Sequence, residues 1–472
     1  MYVKTTSRKV KGGEVRYLHL AHNEWDAAAR RSVPKMLYSF GREDQLDREA
    51  VRRLVASLSK LLDPADALAA IAVADGLVFT ESRPYGGAYV LDALWRRLGI
   101  DAILTGLRSA GRGRPRDGAT AGRVLFGLVA NRALAPCSKL AASEWMSRDV
   151  HIDGLAEVSD DACYRAMDWL HAVRGQLERQ VYDKVADLLN LEVDLLFFDT
   201  TSTYFELDEA DEEVLRDWRG ERAGDGGDAD PDKTAGFRTH GKSKDSRDDL
   251  PQIVIGMAVT RGGIPVRVWC WPGNTADSAL IRQVKDDMRD WSLGRIVWVA
   301  DRGFSSAENR RYLQRGAGHY IIGEKLRSDS AQVKAEANLD GKYLLRSSDP
   351  QLSAEDLATG YKQLLEVERG WRDMKQILDL RPVYHRLEER IRAHVVLCWL
   401  ALLLTRIAET STGQTWHAIR RELDRIHLGT FTGPAGTFRQ RTELTKPARD
   451  LFTQLSITPP RQIHELATPD AR

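Results

Sequence analysis

The sequence predicts an α/β protein: a mixed sheet with helices alongside, preceded by a mainly helical region and followed by a helical C-terminal region. Three observations carry this. Apolar runs of strand length cluster between residues 193 and 323, including Val193-Asp-Leu-Leu-Phe-Phe-Asp199, Ile253 to Thr260, Val266 to Trp271 and Arg295-Ile-Val-Trp-Val-Ala-Asp301. Helical periodicity dominates from about 46 to 190 and again from Ala354 to about Ala408. One pair of strands is joined by a hairpin turn, Arg261-Gly-Gly-Ile-Pro265, whereas a helix from Ser306 to Gln314 separates two later strands, so the sheet mixes pairings.

Taken in order, residues 1–45 alternate apolar and polar positions, as in Val15-Arg-Tyr-Leu-His-Leu and Pro34-Lys-Met-Leu-Tyr-Ser-Phe, and predict a small β-rich unit. Residues 46–190 carry helical patterns at Val51 to Leu62, Ala88 to Leu98, Ala121 to Ala133 and Ala172 to Leu189, interrupted by the basic loop Gly111-Arg-Gly-Arg-Pro-Arg116. Residues 191–410 hold the sheet. Within them Glu206 to Asp249 is polar and glycine-rich and reads as one long loop, and His319-Tyr-Ile-Ile-Gly323 is a further strand. Helices run from Ala354, and a tail, 411–472, has a helix near Trp416 to Arg425.

A chain of 472 residues is long enough for more than one core, and 43% hydrophobic with 29% charged residues is a globular composition. The net charge of +1 does not mark a nucleic-acid binder, so any such role rests on local patches. The four cysteines are widely spaced and read as reduced core thiols of a cytoplasmic protein, with no zinc-type spacing. The N-terminus lacks an apolar signal region. The longest apolar run, Val395 to Leu404, is about half the ~20 residues that cross a bilayer, so no membrane is expected.

Three carboxylates stand out. Asp199 and Asp301 each close an apolar strand run, where ligand sites gather in α/β sheets. Each alone also fits a turn or helix N-cap. Glu368 lies on an expected helix with Tyr361 seven residues before and Lys375 seven after, which sets all three near one face. That pattern also fits an amphipathic helix with acid–base pairing. Together, the three acids suit two divalent ions roughly 3.5–4 Å apart, which activate one oxygen and stabilise another in phosphoryl transfer. Asp199 would bridge both ions, Asp301 and Glu368 would hold one each, and Lys375 and Tyr361 would meet phosphate.

These residues resemble those of DDE transposases. Asp199, Asp301 and Glu368 look like the three acids of that family's RNase H-like core. Tyr361, Glu368 and Lys375 are similar to the Y-x2-R-x3-E-x6-K signature of the insertion-sequence-four superfamily. His240-Gly-Lys-Ser-Lys-Asp245, Leu250 to Val259, Trp271-Pro-Gly-Asn-Thr275 and Leu380-Arg-Pro-Val-Tyr-His385 resemble its sixteen-thirty-four branch. The resemblance implies Mg2+ or Mn2+ as two ions, double-stranded DNA (transposon ends and target) as partner, and a homodimer in the DNA complex in the nucleoid. It implies hydrolysis at transposon ends, then strand transfer of the 3′-hydroxyl. Two departures are visible. Leu364 occupies the signature arginine position, with Arg369 or Arg372 as substitutes, Arg372 one turn beyond Glu368. Glu368 follows Asp301 by only 67 residues, so the insertion that relatives carry there is shortened to about 326–352. An impaired relative that represses by binding DNA, and a nuclease that cuts without joining, therefore stay open.

Two basic patches complete the reading. Arg112 and Arg114 lie in an Arg-Gly-Arg-Pro sequence suited to a narrow minor groove, or to a mobile basic loop, within the helical region 46–190 expected to recognise DNA ends. His240, Lys242 and Lys244, with Arg247, form a cluster that could approach the active site or remain a solvated loop.

Overall fold

The computed structural model describes residues 2–10, 13–26, 30–59, 78–110, 118–189, 195–207, 209–223, 230–289, 291, 296–324, 344–381, 383–433 and 436–467. The chain divides into two compact units: Met1–Phe79 with Phe431–Thr437 and Ala467–Arg472, and Thr80–Thr430 with Phe438–Leu466. The helices from Gly86 onward and the sheet share the second unit, so this division does not follow the expected boundaries near 45, 190 and 410.

In the first unit, β1 (Tyr2–Val10), β2 (Gly13–Asp26) and β3 (Arg31–Arg42) form an antiparallel sheet, as the alternating pattern predicts. A helix, Arg48–Ser59, follows. A short strand, β4 (Val78–Pro84), which was not legible in the sequence, begins at the end of this segment and lies mostly in the second unit.

The second unit is built on a six-stranded sheet. Its strands are β5 (Leu195–Tyr204), β8 (Gln252–Thr260), β9 (Pro265–Pro272), β10 (Val297–Ala300), β11 (His319–Glu324) and β12 (Leu344–Ser347), in the order β12-β11-β10-β5-β8-β9. β5, β8 and β9 are antiparallel neighbours. β10 and β11 lie on the other side of β5 and run parallel to it. Parallel neighbours need a crossover. The helix Asp277–Asp287 supplies one before β10 and the helix Ala307–Leu313 another before β11. This is the RNase H-like mixed α/β arrangement the sequence predicts. The helix Asp277–Asp287 had no place in the expected element order.

The long polar segment is not one loop. It contains a small antiparallel pair, β6 (Val214–Arg216) and β7 (Asp230–Ala235). Inward-facing residues of the six-stranded sheet divide by strand alternation. Phe198, Trp269, Trp271 and Trp298 pack on Leu280, Ile281 and Leu313 of the crossover helices. Phe197, Met257, Val299 and Ile321 pack on the other side with Val367, Trp371 and Met374. Trp371 is buried there. The helix Glu388–Thr412 is buried along nearly its whole length and packs with Gly118–Leu134 and Asp160–Leu189. It is the one described helix long and apolar enough to cross a membrane, and its apolar window is wholly inside the core. The free cysteines 163, 270 and 398 are buried.

The segment Tyr361–Lys375 is two helices, not one. Ala354–Lys362 is capped at Ser353 by a reciprocal box with Asp356 and ends at Gln363; Leu365–Gln376 starts after Leu364. Leu364, in the signature arginine position, is buried at this break, where an apolar side chain is the residue that fits.

Candidate active site

β5 and β10 fix the first two acids. Their parallel register ends at Phe198 opposite Ala300. Asp199 and Asp301 are each the next residue, so they stand side by side on the sheet face that Phe197 and Val299 share. Asp199 does not end its strand, as expected from the apolar run. β5 continues to Tyr204, paired with β8 throughout. It ends only with respect to β10, and there the chain leaves the sheet after Ala300.

Asp301 occupies the N-cap position of a 3-10 turn, Arg302–Phe304, yet its side chain makes no cap hydrogen bond. Its Oδ1 instead accepts from the Tyr361 hydroxyl at 3.0 Å. Gly323 makes this approach possible: a Cβ there would lie 2.6 Å from the Tyr361 Oη. Tyr361 therefore reaches Asp301 across β11. The acid's oxygen is left to a partner from another element, not spent on its own turn.

Asp199 is partly buried. Burial pushes its carboxyl up to about 6; the Lys244 ammonium opposes this, while the Asp277 and Asp301 carboxylates add to it. Lys244 Nζ lies 3.8 Å from Asp199 Oδ1 and 3.2 Å from Asp277 Oδ2. Asp277 also accepts from the Thr200 hydroxyl at 2.7 Å. Lys244 and Asp277 border an open cleft of about 1350 Å³, lined also by Lys242, Asp301, Arg302 and Tyr361; Asp199 meets it through Lys244. The lining suits a hard cation with phosphate, because it brings the carboxylates of Asp277 and Asp301 together with the cationic groups of Lys242, Lys244 and Arg302.

Glu368 is placed differently. Its helix turns Val367, Gly370, Trp371 and Met374 to the sheet, and Glu368 is exposed. Among the described residues no three Asp, Glu, His or Cys side chains are gathered closely enough to hold one ion. Among the described residues the structure thus shows no ready-made cluster joining Glu368 to Asp199 and Asp301. The helix break re-aims the helix by its apolar face, and periodicity across the break carried no information about that aim. Lys375 is also committed elsewhere: its Nζ donates to Asp245 Oδ1 at 2.9 Å, and Arg381 donates to Asp245 Oδ2 at 3.0 Å. Burial pulls the Lys375 ammonium down while Asp245 holds it up.

Residues 218–404 match the family model described as a transposase DDE domain, and residues 3–67 match the N-terminal domain of the IS1634 family transposases. The chain belongs to the DDE transposases, in the IS1634 branch. The DDE match includes Asp301, Glu368 and Lys375 and begins beyond Asp199. No curated protein sequence matches this transposase. Solved structures similar to it include a piggyBac transposase synaptic complex with hairpin DNA, 12% identical over 71% of this chain and 78% of that one, with a TM-score of 0.37. A Mos1 transposase paired-end complex with the left transposon end is 12% identical over 63% and 81%, with a TM-score of 0.17.

Of the remaining candidates in the transposase, Lys242 and Lys244 line the cleft, whereas His240 and Arg372 are exposed and do not line it. Arg112 and Arg114 lie outside the described residues, as does most of the shortened insertion. Two site residues escaped sequence reasoning. Asp277 directly follows the Trp271-Pro-Gly-Asn-Thr-Ala stretch, and Asp245 closes His240-Gly-Lys-Ser-Lys-Asp. Asp245 sits in a stretch that marks the family resemblance and Asp277 lies two residues beyond another, which was the available signal.

Proposed function

We propose that this transposase is a metal-dependent enzyme that hydrolyses the phosphodiester at its element's ends and then joins the liberated 3′-hydroxyl to target DNA. The observation that supports it best is the pairing of Asp199 and Asp301 at matched positions of parallel β5 and β10, on the face that carries the Glu368 helix. Asp199, Asp301 and Glu368 would hold two divalent ions, Mg2+ or Mn2+, which when bound would supply an activated attacking oxygen and stabilise the leaving 3′-oxygen. Tyr361 orients the Asp301 carboxylate. Lys242, Lys244 and Arg302 draw the phosphate backbone into the cleft, and Lys375 fixes the loop that carries Lys244 by way of Asp245. In hydrolysis the water oxygen bonds to phosphorus and the bond from phosphorus to the 3′-oxygen breaks. A 5′-phosphate and a free 3′-hydroxyl remain.

In this reading residues 46–190 recognise the transposon ends, with Arg112 and Arg114 in a minor groove, and His240 and Arg372 contact DNA outside the cleft. Residues 191–410 are the catalytic core. A homodimer pairs the two ends, in the cytoplasm at the nucleoid. One observation favours a second reading, a DNA-binding relative that occupies ends without cutting: Glu368 is exposed and joins no ready-made group of metal-binding side chains among the described residues.

The test is a labelled duplex with the element's terminal sequence, incubated with the protein with and without Mg2+ or Mn2+, beside Asp199→Asn. Metal-dependent nicking and joining, both lost in Asp199→Asn, is the expected result. Binding without nicking establishes the repressor, and nicking without joining the nuclease.

A further inference from the structure

Lys244 is the least ordinary residue of the cleft. It belongs to a basic cluster expected to meet DNA, yet its ammonium is turned inward onto acids. Nζ lies between Asp199 and Asp277, at 3.8 and 3.2 Å, and donates to the Thr200 carbonyl at 2.7 Å. Its backbone is held on both sides. The Lys244 N–H donates to the Ser202 hydroxyl at 2.8 Å, and the next residue, Asp245, is clamped by Lys375 and Arg381. Only the long side chain remains adjustable, and it borders the same cleft as Asp301.

We propose that Lys244 is a built-in counter-ion of the acid pair, a positioning residue that holds Asp199 and Asp277 until a divalent cation and DNA arrive, then turns its charge onto a DNA phosphate. This deepens the catalytic reading above and rests on it. The physical argument is charge. Neighbouring carboxylates repel one another, and a partly buried carboxylate without a cation is costly. An ammonium within 4 Å relieves both, and a divalent ion relieves them more strongly. An ammonium and a divalent cation repel at the same oxygens, so arrival of one displaces the other. A Lys side chain has the reach and rotamer freedom to move while its backbone stays fixed.

The test measures Mn2+ binding to the full chain by electron paramagnetic resonance of free Mn2+, first without DNA. Lys244→Met and the near-isosteric Lys244→Gln are expected to bind Mn2+ about tenfold more tightly than the parent. Lys244→Arg, which keeps the charge, is expected to return toward the parent affinity. Equal affinities across the four proteins would overturn the counter-ion. With a duplex of the element's terminal sequence bound, the difference between Lys244→Met and parent should vanish, because the ammonium has left the acids. A tenfold difference that persists with DNA overturns the hand-over and leaves a static charge. Thermal unfolding without metal separates these effects from loss of fold. If Asp199→Asn binds Mn2+ as the parent does, the catalytic reading itself has failed; if Asp199→Asn loses binding while Lys244→Met is unchanged, only the Lys244 proposal has.

Discussion

The sheet side and the helix side of the candidate site are built by different forces. On the sheet side, Asp199 and Asp301 are neighbours because backbone hydrogen bonds lock β5 to β10 in one register, and a shift of a single residue would turn either acid to the opposite face. On the helix side, Glu368 is located by side-chain contacts: apolar packing, and the ion pairs of Arg369 with Glu409, Asp373 with Arg406 and Lys375 with Asp245. Val367, Trp371 and Met374 seat the helix, and Gly370 lets it approach Met257, the β8 partner of Asp199. Register gives a fixed pair. Side-chain contacts place Glu368, the proposed third acid, according to how the helix sits, so on the proposed function the helix side is the adjustable half of the site.

The sharpest way to break this comparison is to remove one acid from each side. Asp301→Asn and Glu368→Gln are each expected to lower metal-dependent nicking of an element-end duplex by on the order of 10³-fold. If Glu368→Gln stays within tenfold of the parent while Asp301→Asn does not, the helix side is outside the chemistry.

Seating of the helix can be tested next. A Cβ on Gly370 would fall 2.6 Å from Met257 Cε, so Gly370→Val should overpack this contact and cost about 1–3 kcal/mol in chemical denaturation. Adding Met257→Ala makes room and should restore nicking more than it restores stability. A double variant no better than Gly370→Val would show that the helix is held by something other than this contact.

The sheet side should titrate. Asp199, with its carboxyl raised to about 6, binds a proton in the folded chain that the unfolded chain has already released above about 4. Folding stability from this group therefore falls as pH rises from about 4 to 6 and is level above. Metal binding runs the other way, since the proton competes: Mn2+ affinity should weaken about tenfold from pH 7 to pH 5. Asp199→Asn should abolish that dependence, and an unchanged slope in the variant would assign it to another group.

The smallest effect joins the two sides. Tyr361→Phe removes the hydroxyl from Asp301 and should slow nicking a few-fold, about the worth of one hydrogen bond, with little change in thermal unfolding. No change in rate would mean that Asp301 needs no orienting partner.

Much of this was written in the chain. Apolar runs ending at Asp199 and Asp301 marked β5 and β10, the Gly-Gly-Ile-Pro turn marked the β8–β9 hairpin, and Val395 to Leu404 marked a core helix. Such features are local, because strand alternation, turn chemistry and burial of an apolar run depend on neighbours in sequence. Tertiary structure alone decided that Asp199 lies mid-strand, that the Tyr361–Lys375 segment breaks at Leu364, that Lys375 serves Asp245, and that Lys244 and Asp277 share the cleft with Asp301. Each of these depends on which distant element packs against which, and a helical or strand period is the same whichever partner its face finds.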